Sequence, residues 1–317
     1  MNSSIVLITG GTGMIGKAIT RELLEKGYEV IVLTRNPNSK KNIQKPGLTY
    51  AGWNIKKQEI DLNAIAKADY IIHLAGAGIA DKRWTEERKK IIAESREKSG
   101  ELLVNNLLNN PHHVKAIASA SGIGWYGPDP QIPNPQPFIE PDPVGTDFLG
   151  QTCKKWEDSL NGLEDSGIRV VKFRTGPVLS LEGGMLAEFI QPVKFGIASI
   201  LGNGKQVISW IHIDDIARMY IYALENEKLH GVYNAVAPNP VSNKTLVLQL
   251  AKTFKNNFFV PVHVPSFVLK AMLGELSIEV LKSTTVSSSR IKNTGFVFLH
   301  PSLESALKSF TRHKQEL

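Results

Sequence analysis

Val6-Leu7-Ile8-Thr9-Gly10-Gly11-Thr12-Gly13-Met14-Ile15-Gly16 is the stretch whose reading decides the fold. The apolar, β-branched run Ile5–Thr9 predicts a strand buried on both faces, as in a parallel sheet. Gly10 permits a sharp exit from that strand. Gly13 lets backbone approach a pyrophosphate with no Cβ in the way, and Gly16 lets the next helix pack closely. The helix predicted from Met14 to Lys26 aims its first N–H groups and its positive dipole end at the same point. Gly10, Gly11, Thr12, Gly13, Met14, Ile15 and Gly16 together are the candidate phosphate cradle. A strand before and a helix after make an incidental glycine turn the poorer reading.

Outward from this turn the first half alternates strand and helix. Strands are predicted at Glu29–Leu33, Leu48–Trp53, Tyr70–Leu74, Val114–Ala120 and Arg169–Phe173. Helices are predicted from Thr85 to Asn110, with Thr85 as cap, and from Thr146 to Glu164. Gly127–Pro143 is dense in proline and reads as a loop. Farther on, helices are predicted near Met185–Lys194, Ile213–Glu225 and Asn243–Lys255, with strands at Gly231–Ala235 and Gly295–Phe298. Such alternation implies an α/β fold, a Rossmann-type doubly wound parallel sheet with a smaller C-terminal substrate lobe. The predicted division is a nucleotide-binding domain over 1–180, to which about 205–237 returns. The substrate lobe then covers most of 181–317.

The 317 residues carry a formal net charge of +7. The basic residues are scattered in pairs such as Lys40-Lys41 and Lys89-Lys90, with no long aromatic-interleaved cluster. The reading is therefore a basic surface suited to an anionic cofactor or substrate, not to nucleic acid. No apolar run is long enough to span a bilayer, so no membrane partner is expected. The chain runs directly into its first strand, which reads as lacking a signal peptide. The single cysteine, Cys153, fits a reducing cytoplasm. The oligomeric state stays open, a homodimer being compatible.

Cofactor choice is read at the end of the second strand. NAD binders usually place a carboxylate there, whereas this chain has Thr34-Arg35-Asn36. Arg35 can pair with a 2′-phosphate and stack on adenine, so NADP(H) is favoured over NAD(H), the plainer alternative being a surface arginine. His73-Leu74-Ala75-Gly76 and Ser119-Ala120-Ser121 end two further strands, on the carboxyl edge where such sheets bind ligands.

The glycine turn, the Leu-Ala-Gly and Ser-Ala-Ser strand ends and Trp210-Ile211-His212-Ile213-Asp214-Asp215 resemble the epimerase/dehydratase branch of the extended short-chain dehydrogenase/reductase superfamily. Arg83-Trp84-Thr85, Ser95-Arg96, Lys155-Trp156-Glu157, Arg174-Thr175-Gly176, Leu201-Gly202-Asn203-Gly204 and Gly295-Phe296 resemble an atypical subgroup within it. Its members are named epimerase-family or nucleoside-diphosphate-sugar-epimerase-like proteins. That likeness covers essentially the whole chain, including a small C-terminal domain at about 261–308. It implies an NADP-dependent oxidoreductase or epimerase-like enzyme on a small, nucleotide-linked substrate. It also implies cofactor contacts at Arg96, Ser119, Arg174, Gly176 and Pro177, besides the residues above.

The superfamily's chemistry uses a Tyr-x-x-x-Lys pair and a serine, the tyrosine exchanging a proton with a carbinol. Counting back from Glu157 puts Leu149 at the tyrosine and Cys153 at the lysine, and no register restores both. Ser121 and Tyr126 are the remaining catalytic candidates, with packing in the loop the competing reading for Tyr126. The rival functional class is a non-catalytic, NADP-responsive regulatory module. Cys153 is expected to be a buried small residue, and His212 with Asp214 to cap the helix near Ile213. Asp81, Lys82 and Arg83 could face an anionic substrate. No metal site is expected, because no His/Cys/Asp group has ligand spacing.

Overall fold

The computed structural model of the chain describes residues 3–40 and 45–312. Its first strands are β1 (Ile5–Thr9), β2 (Glu29–Thr34), β3 (Leu48–Asn54), β4 (Glu59–Ile60), β5 (Tyr70–His73), β6 (Ala116–Gly122) and β7 (Arg169–Thr175). Then come β8 (Val178–Leu179), β9 (Ile197–Leu201), β10 (Val207–Ile208), β11 (Ile211–His212), β12 (Gly231–Ala235), β13 (Val241–Ser242) and β14 (Val260–Val264). An eight-stranded sheet has the order β12-β7-β6-β5-β1-β2-β3-β4. All its pairings are parallel except β3–β4.

The helices are α1 (Met14–Glu25), α2 (Leu62–Lys67), α3 (Glu86–Asn109), α4 (Phe148–Asp158), α5 (Gly184–Lys194) and α6 (Ile213–Glu225). They continue as α7 (Asn243–Lys255), α8 (Ser266–Leu273), α9 (Leu276–Leu281), α10 (Ser289–Asn293) and α11 (Leu303–Arg312). The two-residue period of the strands sorts the core. Val6, Ile8, Val30 and Val32 join one cluster with Ala18, Ile19 and Leu23 of α1 and much of α6. Leu7, Ile31 and Leu33 join the opposite cluster with Ile65 of α2 and Leu102, Leu103 and Leu107 of α3. Both faces of β1 are thereby covered, which is why its sequence is an unbroken apolar run.

Two expectations are corrected. The helix predicted to reach Glu164 ends at Asp158 and gives way to a single 3-10 turn at Asn161–Leu163. There Ser159 Oγ donates to Trp156 O, a local bond that competes with continuing the helix. Gly295–Phe298 forms no strand. Phe296 and Phe298 are buried, and the next two N–H groups, of Leu299 and His300, donate to the Asp215 carboxylate instead of to a ladder. The paired segments β8–β11 and β10–β13, two residues each, and the five-residue pair β9–β14, joined across a long stretch of chain, are additions to the predicted strands.

Candidate active site at the carboxyl edge of the sheet

The glycine turn leaves β1 through Gly10 at φ +69°, a conformation that glycine adopts freely. A Cβ on Gly10 would lie 2.9 Å from the Leu74 carbonyl, and one on Gly16 would lie 2.5 Å from Gly10 O and Gly11 Cα. Gly10 therefore seats the turn against the end of β5, and Gly16 seats the helix against the turn. Gly13 differs, since an added Cβ would meet only Gly10 O, at 3.3 Å. Gly13 and Thr12 are exposed, and Met14 and Ile15 half-buried. Gly13 caps α1 with no side-chain hydrogen bond, and no acidic residue stands in the first turn. The first N–H groups of α1 thus meet no carboxylate of their own helix, as a site for an external phosphate requires.

The end of β5 is locked to β1 beside this turn. Thr9 Oγ1 accepts from Leu74 N and Ala75 N, at 3.1 and 3.2 Å, and so donates its proton to His73 Nδ1 at 2.8 Å. His73 Nε2 must then carry hydrogen, donating to Ser99 Oγ at 3.3 Å, and Ser99 donates to Arg96 O. Burial pushes His73 down to about 3, so the ring is neutral. Leu74 is half-buried, Ala75 buried and Gly76 exposed. At the end of β2, Arg35 and Asn36 are exposed, and Asn36 N donates to Thr34 Oγ1.

The ends of β6 and β7 carry a buried polar network. Ser121 Oγ donates to Glu157 Oε1 at 2.7 Å. Arg174 grips the same carboxylate through Nε at 2.8 Å and Nη2 at 3.1 Å, with side-chain exposures of 3% and 6%. Its Nη1 donates to Tyr126 Oη and Glu140 O, and its plane lies 3.6 Å from the Trp125 ring centroid. Tyr126 has no exposed surface and donates to Asn234 Oδ1 at 2.7 Å, and burial pushes its phenol up to about 12. Burial opposes the Arg174 cation, but Glu157 outweighs that and raises its pKa. Sequence reading singled out Ser121, Tyr126 and Arg174 and missed Glu140, Asn234 and Trp125 as their partners. Glu157 served only to count register.

The other candidates fall in distinct places. Ser119 is buried, its hydroxyl donating to Ala120 O. Gly176 is wedged against Ser209, where a Cβ would overlap the Ser209 carbonyl, and Pro177 O accepts from Ile211 N. Leu149 packs with Trp84, Ile92 and Leu276. Cys153 is buried, and burial pushes its thiol up to about 11. His212 accepts from Asp214 N and caps α6. His212, Asp214 and His300 gather with their ligand atoms within 4.8 Å of one another, a group the sequence did not foreshadow because His300 is remote. His212 is engaged there, its Nδ1 in the cap and its Nε2 with Ser309 Oγ.

An open, mostly parallel sheet with an uncapped glycine turn at its carboxyl edge defines a Rossmann-type nucleotide-binding protein. The chain belongs to the NAD dependent epimerase/dehydratase family, whose model matches residues 6–235, and a domain of unknown function, DUF1731, matches 264–310. It is 33% identical over 309 residues to an epimerase family protein of Staphylococcus saprophyticus, covering 95% of this chain and 97% of that protein. The crystal structure of the human epimerase family protein SDR39U1 with NADPH superposes with a TM-score of 0.83 at 31% identity, covering 96% of this chain and 98% of that one. The UDP-N-acetylglucosamine 4-epimerase of Bacillus cereus, at 18% identity and a TM-score of 0.75, shares the fold. Among the described residues no helix is long and apolar enough to cross a membrane.

Proposed function

We propose that this protein binds NADP(H) in preference to NAD(H) and is an oxidoreductase or epimerase-like enzyme acting on a small, nucleotide-linked substrate in the cytoplasm. The observation that carries the cofactor reading is the exposed Arg35 at the end of β2, beside an uncapped α1 and with no carboxylate in Thr34-Arg35-Asn36. NADPH in the structure of the human relative supports it. Bound there, the cofactor would supply or accept hydride. Gly13 and the first N–H groups of α1 hold its phosphates, and Arg35 pairs with the 2′-phosphate. The Thr9–His73 lock keeps the Leu74–Gly76 backbone beside them. Replacing Arg35 with Asp tests the assignment by calorimetry. The preference should move from NADPH toward NADH, and an unchanged preference would remove Arg35 from the role.

A second reading, an NADP-responsive regulatory module, is favoured by one specific observation. The positions assigned to the catalytic pair by resemblance hold Leu149 in an apolar cluster and Cys153 as a neutral buried thiol. In both readings Ser121 and Tyr126 set the ends of β6 and β7, because Glu157 and Asn234 occupy their protons. Screening sugar nucleotides and carbonyl compounds with NADPH separates the two. Turnover supports the enzyme, and NADPH binding with no turnover supports the module.

A further inference from the structure

We propose that the outer face of the β9–β14 pair is a docking surface for an anionic lipid bilayer, to which the protein adsorbs without crossing it. The two strands are parallel, so the segments that lead into them, ending at Gly196 and Phe259, lie at one end of the pair. Val260 N donates to Gly196 O at 2.8 Å and ties those segments together. Phe195 is 83% exposed and Phe258 85%, whereas Phe254 and Phe259 pack against the core. Ile197 and its partner Val260, on the next rung, are exposed too, as is Val262 beyond them. Ala198 and Ile200, on the other face of β9, are buried. The two phenylalanine rings alone present roughly 300 Å2 of apolar surface. A patch of that kind on a folded chain marks an interaction site.

The charge around this patch has one sign. From Phe189 to Ile213, and again from Lys228 to Gly274, the chain carries lysines and no carboxylate. Lys194 ends α5 next to Phe195, and Lys252 and Lys255 stand in the last turn of α7, just before Phe258. Phe258 N donates to Lys255 O, which holds the ring beside that helix end. Lys194 Nζ donates to the neutral Gln191 Oε1, and among the described residues none of the three lysines pairs with a carboxylate. Lysines also suit the negative ends of α5 and α7, which accounts for their position but not for the two exposed rings beside them. Apolar side chains flanked by cations combine the two forces that hold a peripheral protein on anionic lipid, insertion at the headgroup boundary and attraction to its charge. A second copy of this chain fits less well, because it would bring the like-charged rims together. Val260 and Val264 bond toward β9, so Pro261, which has no N–H, stands on the free edge of β14 and blunts strand-to-strand pairing. Adsorption needs no helix long and apolar enough to cross a membrane.

The test is sedimentation of the full chain with vesicles of phosphatidylcholine alone and with vesicles in which about one third of the lipid is phosphatidylglycerol. The wild type should sediment with the second and not with the first, and raised salt should weaken that binding. Phe195→Ser with Phe258→Ser should weaken it roughly tenfold or more, since two exposed rings are lost from the inserted face. Lys194→Gln with Lys252→Gln and Lys255→Gln should weaken it by a similar factor and flatten its salt dependence. Both variants should keep the wild-type urea midpoint, because the changed side chains lie outside the core. A wild type that ignores the phosphatidylglycerol vesicles overturns the proposal. So does equal binding to both kinds of vesicle, or binding that either variant leaves within about twofold of wild type. A wild-type dimer that the two serine substitutions dissociate, seen by analytical ultracentrifugation with no vesicle binding, would instead assign the patch to a second copy.

Discussion

Removing the Glu157 carboxylate should be among the most damaging single changes to this fold. Glu157 accepts three hydrogen bonds, at 2.7 Å from Ser121 Oγ and at 2.8 and 3.1 Å from Arg174 Nε and Nη2. Both ionic partners are almost wholly buried. In Glu157→Leu, Arg174 remains buried as an uncompensated cation, which costs about 3–5 kcal/mol. Arg174→Met strands the carboxylate and should cost a similar amount. The double variant removes both charges together and replaces them with apolar groups of comparable length. It should therefore lose far less than the two single losses added, with a coupling of at least about 2 kcal/mol. Urea denaturation followed by tryptophan fluorescence measures all three. Single losses below about 1 kcal/mol, or simple additivity, would refute the claim that this pair holds the ends of β6 and β7 together.

The glycine turn separates binding from folding. Gly13→Ala should lower the urea midpoint far less than Gly16→Ala while weakening NADPH, because its Cβ meets only Gly10 O, at 3.3 Å, a contact that a small shift relieves. Gly16→Ala should lower the midpoint markedly, since its Cβ collides with turn backbone at 2.5 Å. Equal effects on folding from the two would contradict this division. His73 gives a pH test. The folded chain holds it neutral down to about pH 3, whereas the unfolded chain protonates it near its ordinary 6.5. Its contribution is fully present above that value and is lost as pH falls, by about 2 kcal/mol between pH 7 and 5. His73→Gln should flatten stability over that interval, and an unchanged slope would rule the ring out as the source.

The parallel sheet was legible because β1 and β2 bury both faces and so read as continuous apolar runs, and because Gly10 to Gly16 follow one of them directly. Thr85 was legible as a cap because its hydroxyl accepts from Arg88 N, the purpose for which threonine is chosen there. The polar network at β6 and β7 was not. Glu140, Glu157, Arg174 and Asn234 are scattered along the chain and follow no period, and only tertiary folding brings them into one hydrogen-bonded set. Gly295–Phe298 misled because alternating aromatics mimic a strand, while the following N–H groups found a carboxylate, Asp215, on α6. The resemblance implies a cofactor contact at Gly176, and the structure adds a packing reason for glycine there, the Ser209 backbone pressed against it.

The most direct measurement is the affinity of the wild-type chain for NADPH and NADH, side by side at one ionic strength. A 2′-phosphate paired with Arg35 through charge-assisted hydrogen bonds predicts NADPH to be tighter by roughly tenfold or more. Equal affinities, or tighter NADH, would contradict the reading of the glycine turn and Arg35 as an NADP(H) site.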